Sequence, residues 1–342
     1  MDMTRLLRPL SLFALIGLSL AILASVTDRR VNAVAPPEGF LPDYGAALER
    51  AARLEITHGL GMSGTRVLSF SRQDGIWRFE QRGNYPAKQE LVTETLLALA
   101  DLKALEARTA KPKWHRALGL SPPEDFGKAV RFRVLDAEGN ILAAILMGNE
   151  ERSEAEASLQ LTSIGPDLRN FYIRREGEPQ SWLARGRLPR SPEPAAWISM
   201  ELPRGPADLL RSVSFGKGKA VFDLVRVGEA QWSRPGGLGW FVGFADLQPD
   251  NVASVDSIAF ETAQPMVLRY SNGLVLRYEN VGAASYIWSR ITASASKKAS
   301  AEIQTLAQDL QSRYAGWAFR FPADTAPILL PGAEQLDRPL SR

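Results

Sequence analysis

The sequence contains no cysteine and only two histidines, His58 and His115. Without cysteine the chain can form no disulfide bond, no thiol nucleophile and no metal site with sulfur ligands. His115 stands in the basic stretch "KPKWHRALGL", and neither histidine has a ligating neighbour at a spacing that metal sites use. We therefore predict no metal site and interpret both histidines as structural or surface residues.

The chain also lacks a surplus of charge of either sign. It has 41 Lys and Arg residues against 38 Asp and Glu residues, and Arg5, Arg8, Arg29 and Arg30 lie at its N-terminus. The rest of the chain is close to neutral, whereas nucleic-acid binding needs a concentrated basic face, so we expect no nucleic acid among the partners. A length of 342 residues predicts two domains or an internal duplication.

Motifs of common catalytic and cofactor sites are missing as well. "SFGKGKAVF" lacks the spacing of a phosphate loop, "RPGGLGWFVG" lacks the last glycine of a dinucleotide fingerprint, and "GMSGT" is not a nucleophile elbow. One acidic stretch, "GNEERSEAEASLQ", holds Glu150, Glu151, Glu154 and Glu156. We interpret it as a solvated loop, because it lacks the pattern of a calcium loop. The sequence predicts neither an enzyme nor a bound cofactor.

What the chain does have is an uncharged apolar run, "LSLFALIGLSLAILASV", preceded by Arg5 and Arg8. As a helix it would span ~26 Å, near the lower limit for a hydrocarbon core of ~30 Å. A cleaved secretory signal and a retained signal anchor both fit, and both export the remainder of the chain. We favour the anchor, because the charged "TDRR" follows where a cleavage site needs small residues.

These patterns predict the order of segments along the chain. A cytoplasmic N-terminus (1–9) precedes a transmembrane signal anchor (10–27) and a Pro-containing linker (28–45). A first lobe (46–190) and a second lobe (208–335) are joined by a proline-rich hinge (191–207).

Turn signals between alternating runs predict β-hairpins at Gln73–Gly75, Asp136–Asn140, Gly177 and Asn272–Gly273. Apolar residues at helical spacing predict helices that contain Val92, Leu96, Leu99 and Leu102, and Ile303, Leu306, Leu310 and Tyr314. The similar succession in the two halves predicts an α+β fold. We expect two related lobes of mainly antiparallel sheet with packed helices, preceded by the N-terminal transmembrane helix.

The stretch "IWRFEQRGNYPAKQELV" joins a predicted strand to the first long predicted helix. We expect Pro86 in the first helical turn, where its missing N–H has no partner. Trp77 and Tyr85 can form core there, or they can line an aromatic ligand pocket. We favour core, because no convergent polar residues accompany them, as a ligand site requires.

Three stretches, "WRFEQRGNYPAKQELV", "ARTAKPKWHRALGL" and "FYIRREGEPQSWLARG", carry a family resemblance. They resemble a bacterial family of unknown function, whose members are single-pass envelope proteins encoded beside auxiliary components of gliding-motility-type ABC transporters. The similarity runs from about Leu41 to Leu330. The matching pattern is Trp77, Tyr85, Pro86, Ala87, Thr109, Leu118, Gly119 and Trp182.

The resemblance brings no catalytic residue with it, and Asn84 departs from the glycine expected before Tyr85. It implies a single-pass protein of the bacterial inner membrane, held through residues 10–27, with the bulk of the chain in the periplasm. It also implies auxiliary subunits of an ABC transporter as partners.

These patterns leave three classes of function open. The first is a non-catalytic accessory or interaction component of an ABC-type transport system, which we favour. The second is a periplasmic module that binds a lipid, glycan or peptide in the cleft between lobes, marked by exposed aromatic side chains such as Trp114, Trp197 or Trp240. The third, an enzyme, needs convergent polar residues that the sequence does not display.

Overall fold

The structure is a computed structural model that describes residues 35–151, 168–218, 221–229, 231–283 and 285–338. These residues form two antiparallel sheets with a few helices, so the predicted α+β class is confirmed. The predicted transmembrane segment 10–27 lies outside the described residues. Within the described ranges, no helix is both long enough and apolar enough to cross a membrane.

Sixteen strands are described, and each is antiparallel to the neighbours whose register is known. They are β1 Arg53–Gly59, β2 Thr65–Gln73, β3 Ile76–Phe79, β4 Tyr85–Pro86, β5 Lys103–Ala107, β6 Val130–Leu135, β7 Ile141–Glu150, β8 Arg169–Arg175, β9 Ser181–Gly186, β10 Leu210–Phe215, β11 Phe222–Val225, β12 Asn251–Ser254, β13 Gln264–Tyr270, β14 Leu274–Gly282, β15 Tyr286–Ala295 and β16 Trp317–Pro322.

Three longer helices and three single-turn helices accompany the strands in the described ranges. They are α1 Tyr44–Ala47, α2 Gln89–Ala100, α3 Gly237–Asp246, α4 Ala301–Tyr314, α5 Ala326–Leu329 and α6 Ala333–Leu336.

The chain divides into two compact units. The first contains the described parts of Met1–Val67 and Thr93–Arg190, and the second contains Leu68–Val92 together with the described part of Ser191–Arg342. The segment Leu68–Val92 is therefore part of the C-terminal unit, although it precedes most of the N-terminal unit in sequence. The predicted lobe and hinge boundaries, and the relatedness of the lobes, stay predictions.

The first unit contains strands in the order β1-β6-β7-β8-β9-β5. Strand β6 pairs with β1 and with β7. Its side chains Val130, Phe132 and Val134 are buried on one face of the sheet and alternate with partly exposed residues on the other face. This period of two is the pattern of a strand with one covered face. The predicted hairpins at Asp136–Asn140 and Gly177 are confirmed, since they join β6 to β7 and β8 to β9.

The second unit contains a seven-stranded sheet in the order β11-β10-β13-β14-β15-β16-β12. The predicted hairpin at Asn272–Gly273 joins β13 to β14, and the predicted C-terminal helix is α4. Its core is a series of aromatic rings, in which Phe215, Trp240, Phe244 and Tyr278 lie 5.3–5.7 Å from their neighbours between centroids. Aromatic rings at such distances add packing energy beyond their buried area.

The predicted start of helix α2 is wrong. Pro86 lies in β4 opposite Arg78, and the Ala87 backbone N–H still donates to the Trp77 carbonyl at 2.9 Å. Because the chain pairs with β3 through Ala87, it cannot turn into a helix before Gln89. Asn84 has a φ of 63°, the left-handed conformation that glycine favours and asparagine tolerates, which explains the departure from the family pattern.

Candidate functional site

The eight residues of the family pattern fall into two groups, one in each unit. Trp77, Tyr85, Pro86 and Ala87 belong to the second unit. Thr109, Leu118, Gly119 and Trp182 belong to the first unit. Within each group the residues join elements that are distant in sequence.

The side chain of Gln89 substitutes for a strand partner of Trp77. Its Oε1 accepts from the Trp77 backbone N–H at 2.7 Å, and its Nε2 donates to the Trp77 carbonyl at 2.9 Å and the Ala87 carbonyl at 2.6 Å. The Trp77 indole is buried. Buried backbone groups need partners, and a helix-borne amide supplies them here.

Tyr85 packs its ring edge-on against Trp317, with centroids 4.9 Å apart, and its hydroxyl donates to the Ser199 carbonyl at 2.9 Å. Burial raises the pKa of Tyr85 to about 12, so the hydroxyl stays protonated at neutral pH. The hydroxyls of Tyr314 and Tyr278 likewise donate to the carbonyls of residues 201 and 203. Three tyrosines thus satisfy alternate carbonyls of one irregular segment, which explains the Tyr85 junction as part of the fold.

In the first unit, the second group of pattern residues fixes the loop after β5. The backbone N–H and hydroxyl of Ser181 both donate to the Thr109 carbonyl at 2.8 Å. Gly119 has a φ of 71°, and a Cβ there would stand 2.3 Å from the Asn149 side chain. Trp182 lies in β9 between Ala107 and Ile173. All of these contacts are structural.

The glutamates of the acidic stretch are paired with arginines where the structure describes them. Glu150 lies 2.9 Å from Arg169 and 3.0 Å from Arg190, and Glu151 lies 2.6 Å from Arg108. Glu154 and Glu156 lie outside the described residues. Across the described ranges, no three His, Asp or Glu side chains gather in a way that could hold a metal ion.

Both histidines are buried in the first unit. His115 Nε2 lies 2.9 Å from the Pro179 carbonyl, and burial lowers its pKa. Burial, together with the charge of Arg66, lowers the pKa of His58 to about 4. Both imidazoles are therefore neutral at pH 7 and contribute to packing rather than to surface charge.

Helix α3 packs on the core of the second unit through aromatic side chains on one of its faces. Trp240 and Phe244, one turn apart, are buried with stacked rings at 5.3 Å, and the Trp240 indole N–H donates to the Ile328 carbonyl at 2.9 Å. Gly243 makes room for Ile328, since a Cβ there would stand 2.5 Å from its Cδ1. Tertiary packing maintains this helix despite its glycines, which disfavour helix formation.

The opposite face of α3 is apolar too. Leu238 and Val242 are 47% and 52% exposed, and half-buried Phe241 packs on half-buried Trp232 at 5.7 Å between centroids. We call Trp232, Leu238, Phe241 and Val242 the α3 surface. No charged residue stands between Arg234 and Asp246. A helix that is apolar on all sides is typical of burial on all sides.

The α3 surface is not predicted from the sequence, because the glycines of "RPGGLGWFVG" point first to a nucleotide-binding motif. The available signal was the missing polar face of the helix. The exposed aromatic side chains proposed for a ligand cleft are only partly present: Trp114 is exposed, but Trp197 and Trp240 are buried.

An open groove of about 740 Å³ runs between α4 and the end of β15 in the second unit. Its lining is polar or small, and a side chain of the lining is already engaged, since Gln311 Oε1 accepts from the Ala293 backbone N–H at 2.7 Å. The lining includes Ser294, Ser296, Lys297, Gln304, Gln308 and Ser312.

Comparison with known families matches residues 77–263 to the family described as Domain of unknown function (DUF4340). The match covers more than half of the chain, so the chain belongs to this family. It includes α3 and the Tyr85 junction, and it is shorter than the range from Leu41 to Leu330 over which the resemblance was expected. No curated protein and no solved structure matches the chain.

Proposed function

We propose that the protein is a membrane-anchored interaction component of the bacterial envelope that acts by surface contact rather than by catalysis. Residues 10–27 hold it in the inner membrane, and the two units lie in the periplasm. The setting we propose is an ABC-type transport system, whose auxiliary subunits are the partners. The observation that carries the proposal is the α3 surface.

Burial of the exposed halves of Leu238 and Val242 would favour binding of a partner to the α3 surface. Complete burial of an aliphatic side chain contributes about 1.5–3 kcal/mol, so covering two half-exposed side chains contributes about that much for the pair. Half-buried Trp232 and Phe241 add rings of the type enriched at the centres of protein interfaces. Helix α3 carries no charge before Asp246, so binding of an apolar partner does not incur the cost of removing a charged group from water.

The anchor and the contact surface support each other. A tether holds the protein in a thin layer beside the membrane and raises its effective concentration toward an integral partner without any new contact. A weak apolar contact is then sufficient for binding. The tether favours a partner that is itself in or at the same membrane.

Site-specific photo-crosslinking in native membranes tests the contact. A photo-reactive residue at Val242 is expected to give one discrete adduct with an envelope protein. The matched control is Leu306, an equally apolar residue that is 39% exposed on α4 of the same unit. Equal adducts at both positions, or none at Val242, would contradict the proposal.

The groove beside α4 favours a second candidate function, the binding of a small polar ligand. Its volume lies within the range of about 300–1,000 Å³ that ligand sites occupy. The predicted cleft between lobes is a different place and stays a prediction. A thermal-shift screen with glycans and peptides tests the groove: a ligand that stabilises the wild type but not Gln308→Ala would support this second function.

A further inference from the structure

Two loops of the first unit meet at one end of its sheet. One follows β1 at Gly59, and the other precedes β6. The Gly59 backbone N–H donates to the Ala129 carbonyl at 2.9 Å, and the Gly61 N–H donates to the Gly127 carbonyl at 3.3 Å. A Cβ at Gly59 would stand 2.3 Å from the Gly127 oxygen, so glycine permits this close approach. The two loops form one projection.

This projection carries exposed apolar side chains, Leu60, Met62 and Phe126, which we call the loop tip. Met62 is 92% exposed and Phe126 is 69% exposed. Phe126 also has a φ of 54° and a ψ of 23°, a left-handed conformation that costs a residue with a Cβ about 1–2 kcal/mol. Folding gains little from either feature, and strained residues of this kind concentrate at functional sites.

We propose that the loop tip inserts into the interfacial layer of a lipid bilayer, the membrane in which the proposed function anchors the chain. A side chain that is 92% exposed touches almost nothing of its own protein and projects outward. A fluid lipid surface accepts a projecting apolar side chain without a matching cavity, whereas a protein partner must provide a complementary pocket. The high exposure of Met62 and Phe126 therefore favours lipid over protein.

The tether leaves the loop tip free to reach the bilayer. The apolar run ends at Val26, and the chain joins the first unit at Phe40, whose carbonyl accepts from Arg175 at the far end of β8. The intervening 13 residues, 27–39, extend to at most ~45 Å. A strand such as β1 is only about 23 Å long, so the linker can pass along the unit and bring the opposite end to the membrane.

Charge contributes little to this contact. Exposed Lys128 is offset by exposed Asp125 in the same loop, and Glu124 forms an ion pair with Arg131. Each basic residue beside an anionic membrane contributes about 1 kcal/mol to the free energy of binding. In this loop the acidic neighbours offset that contribution. Insertion is therefore expected to depend weakly on salt and on anionic lipid, unlike the binding of a polybasic segment.

The test uses the full chain reconstituted in phosphatidylcholine vesicles that contain a nitroxide-labelled lipid. Because the sequence has no cysteine, Met62→Cys provides a single site for a fluorescent label. The matched control is Ile141→Cys, which is 57% exposed at the start of β7, the other end of the same sheet. We expect loss of fluorescence by lipid-borne quenching at position 62 and unchanged fluorescence at position 141.

Flotation of the vesicles separates the possible outcomes. A chain that floats and is quenched at position 62 alone supports the proposal. A chain that floats without quenching at position 62 overturns the loop-tip contact, leaves the anchor intact and points to a protein partner for the tip. A chain that does not float with the vesicles overturns both the anchor and the loop-tip contact.

Discussion

At the residue scale, tyrosine hydroxyls replace the strand partners that the segment at residues 199–203 lacks. Tyr85, Tyr278 and Tyr314 each donate to one of its carbonyls, at 2.8–2.9 Å. The pKa values of all three are raised, first of all by burial, which keeps the hydroxyls protonated as donors. The sequence predicted Tyr85 as a junction residue but could not reveal a partner 114 residues away.

We expect Tyr85→Phe to lower the free energy of unfolding by about 1 kcal/mol, because the hydroxyl of buried Tyr85 loses its hydrogen bond to the Ser199 carbonyl. Chemical denaturation at neutral pH measures the change. Tyr286→Phe is the control, since Tyr286 is 37% exposed, and it should change stability by less than about 0.5 kcal/mol. Equal effects of the two substitutions would remove the role assigned to the Tyr85 hydroxyl.

His58 should make the folded protein less stable as the pH decreases through the mildly acidic range. Its pKa is about 4 in the folded chain because of burial and Arg66, whereas an unfolded histidine has a pKa near 6.5. Between these values the unfolded chain binds more protons, so acid favours unfolding. From pH 7.5 to pH 5 the loss attributable to His58 is about 2 kcal/mol.

His58→Leu isolates this contribution. Among the described residues, His58 Nε2 has no hydrogen-bond partner, so the substitution removes no hydrogen bond of this atom. Denaturation of both proteins at several pH values should show a flatter dependence above pH 5 for the variant. An unchanged dependence would mean that His58 is protonated in the folded chain or is accessible to water.

At the scale of elements, the sequence predicted hairpins better than it predicted the ends of helices. Turn residues such as Asn272 and Gly273 are local signals, and the hairpin they mark is present. The start of α2 was missed because it depends on pairing of Ala87 with Trp77. The edge strand β5 was missed because none of its residues is fully buried. Apolar residues surround α3 on all sides, so their spacing in the sequence could not show which face packs on the core and which faces outward.

The junction of the two loops beneath the loop tip gives a prediction at this scale. A Cβ at Gly59 would stand 2.3 Å from the Gly127 oxygen in the other loop, so Gly59→Ala should destabilise the protein by about 1–3 kcal/mol. Gly45→Ala, in α1 with nothing within 4 Å of the added carbon, should be neutral or slightly stabilising. Thermal unfolding measures the stability of both variants, and a neutral Gly59→Ala would show that the two loops can separate without cost.

At the scale of the whole molecule, the order of the chain is not the order of its compact units. Leu68–Val92 belongs to the second unit, where Tyr85 meets Trp317 and Ser199. Local patterns carry no information on such distant pairing, and for this reason the sequence predicted the individual elements of this region but not their assembly. Each unit combines local elements with contacts from distant parts of the chain.

The membrane anchor also belongs to this scale. We expect Leu10–Val26 to be retained, because charged "TDRR" follows it directly. Mass spectrometry of the native protein should therefore identify peptides from before Asp28. A mature N-terminus at Val34 or Pro36 would show instead that the segment is a cleaved signal and that the protein is not tethered.

The most direct test of contact through the α3 surface is co-purification from membranes with substitutions confined to that surface. Leu238→Ser with Val242→Ser should lose the partner that crosslinks at Val242. Because about half of each side chain is buried, the melting temperature should fall somewhat, and circular dichroism should show that the double variant is still folded at the temperature of the co-purification. Leu306→Ser on α4 should retain the partner at the wild-type level. If the double variant retains the partner in full, α3 is not the contact surface and the account is contradicted.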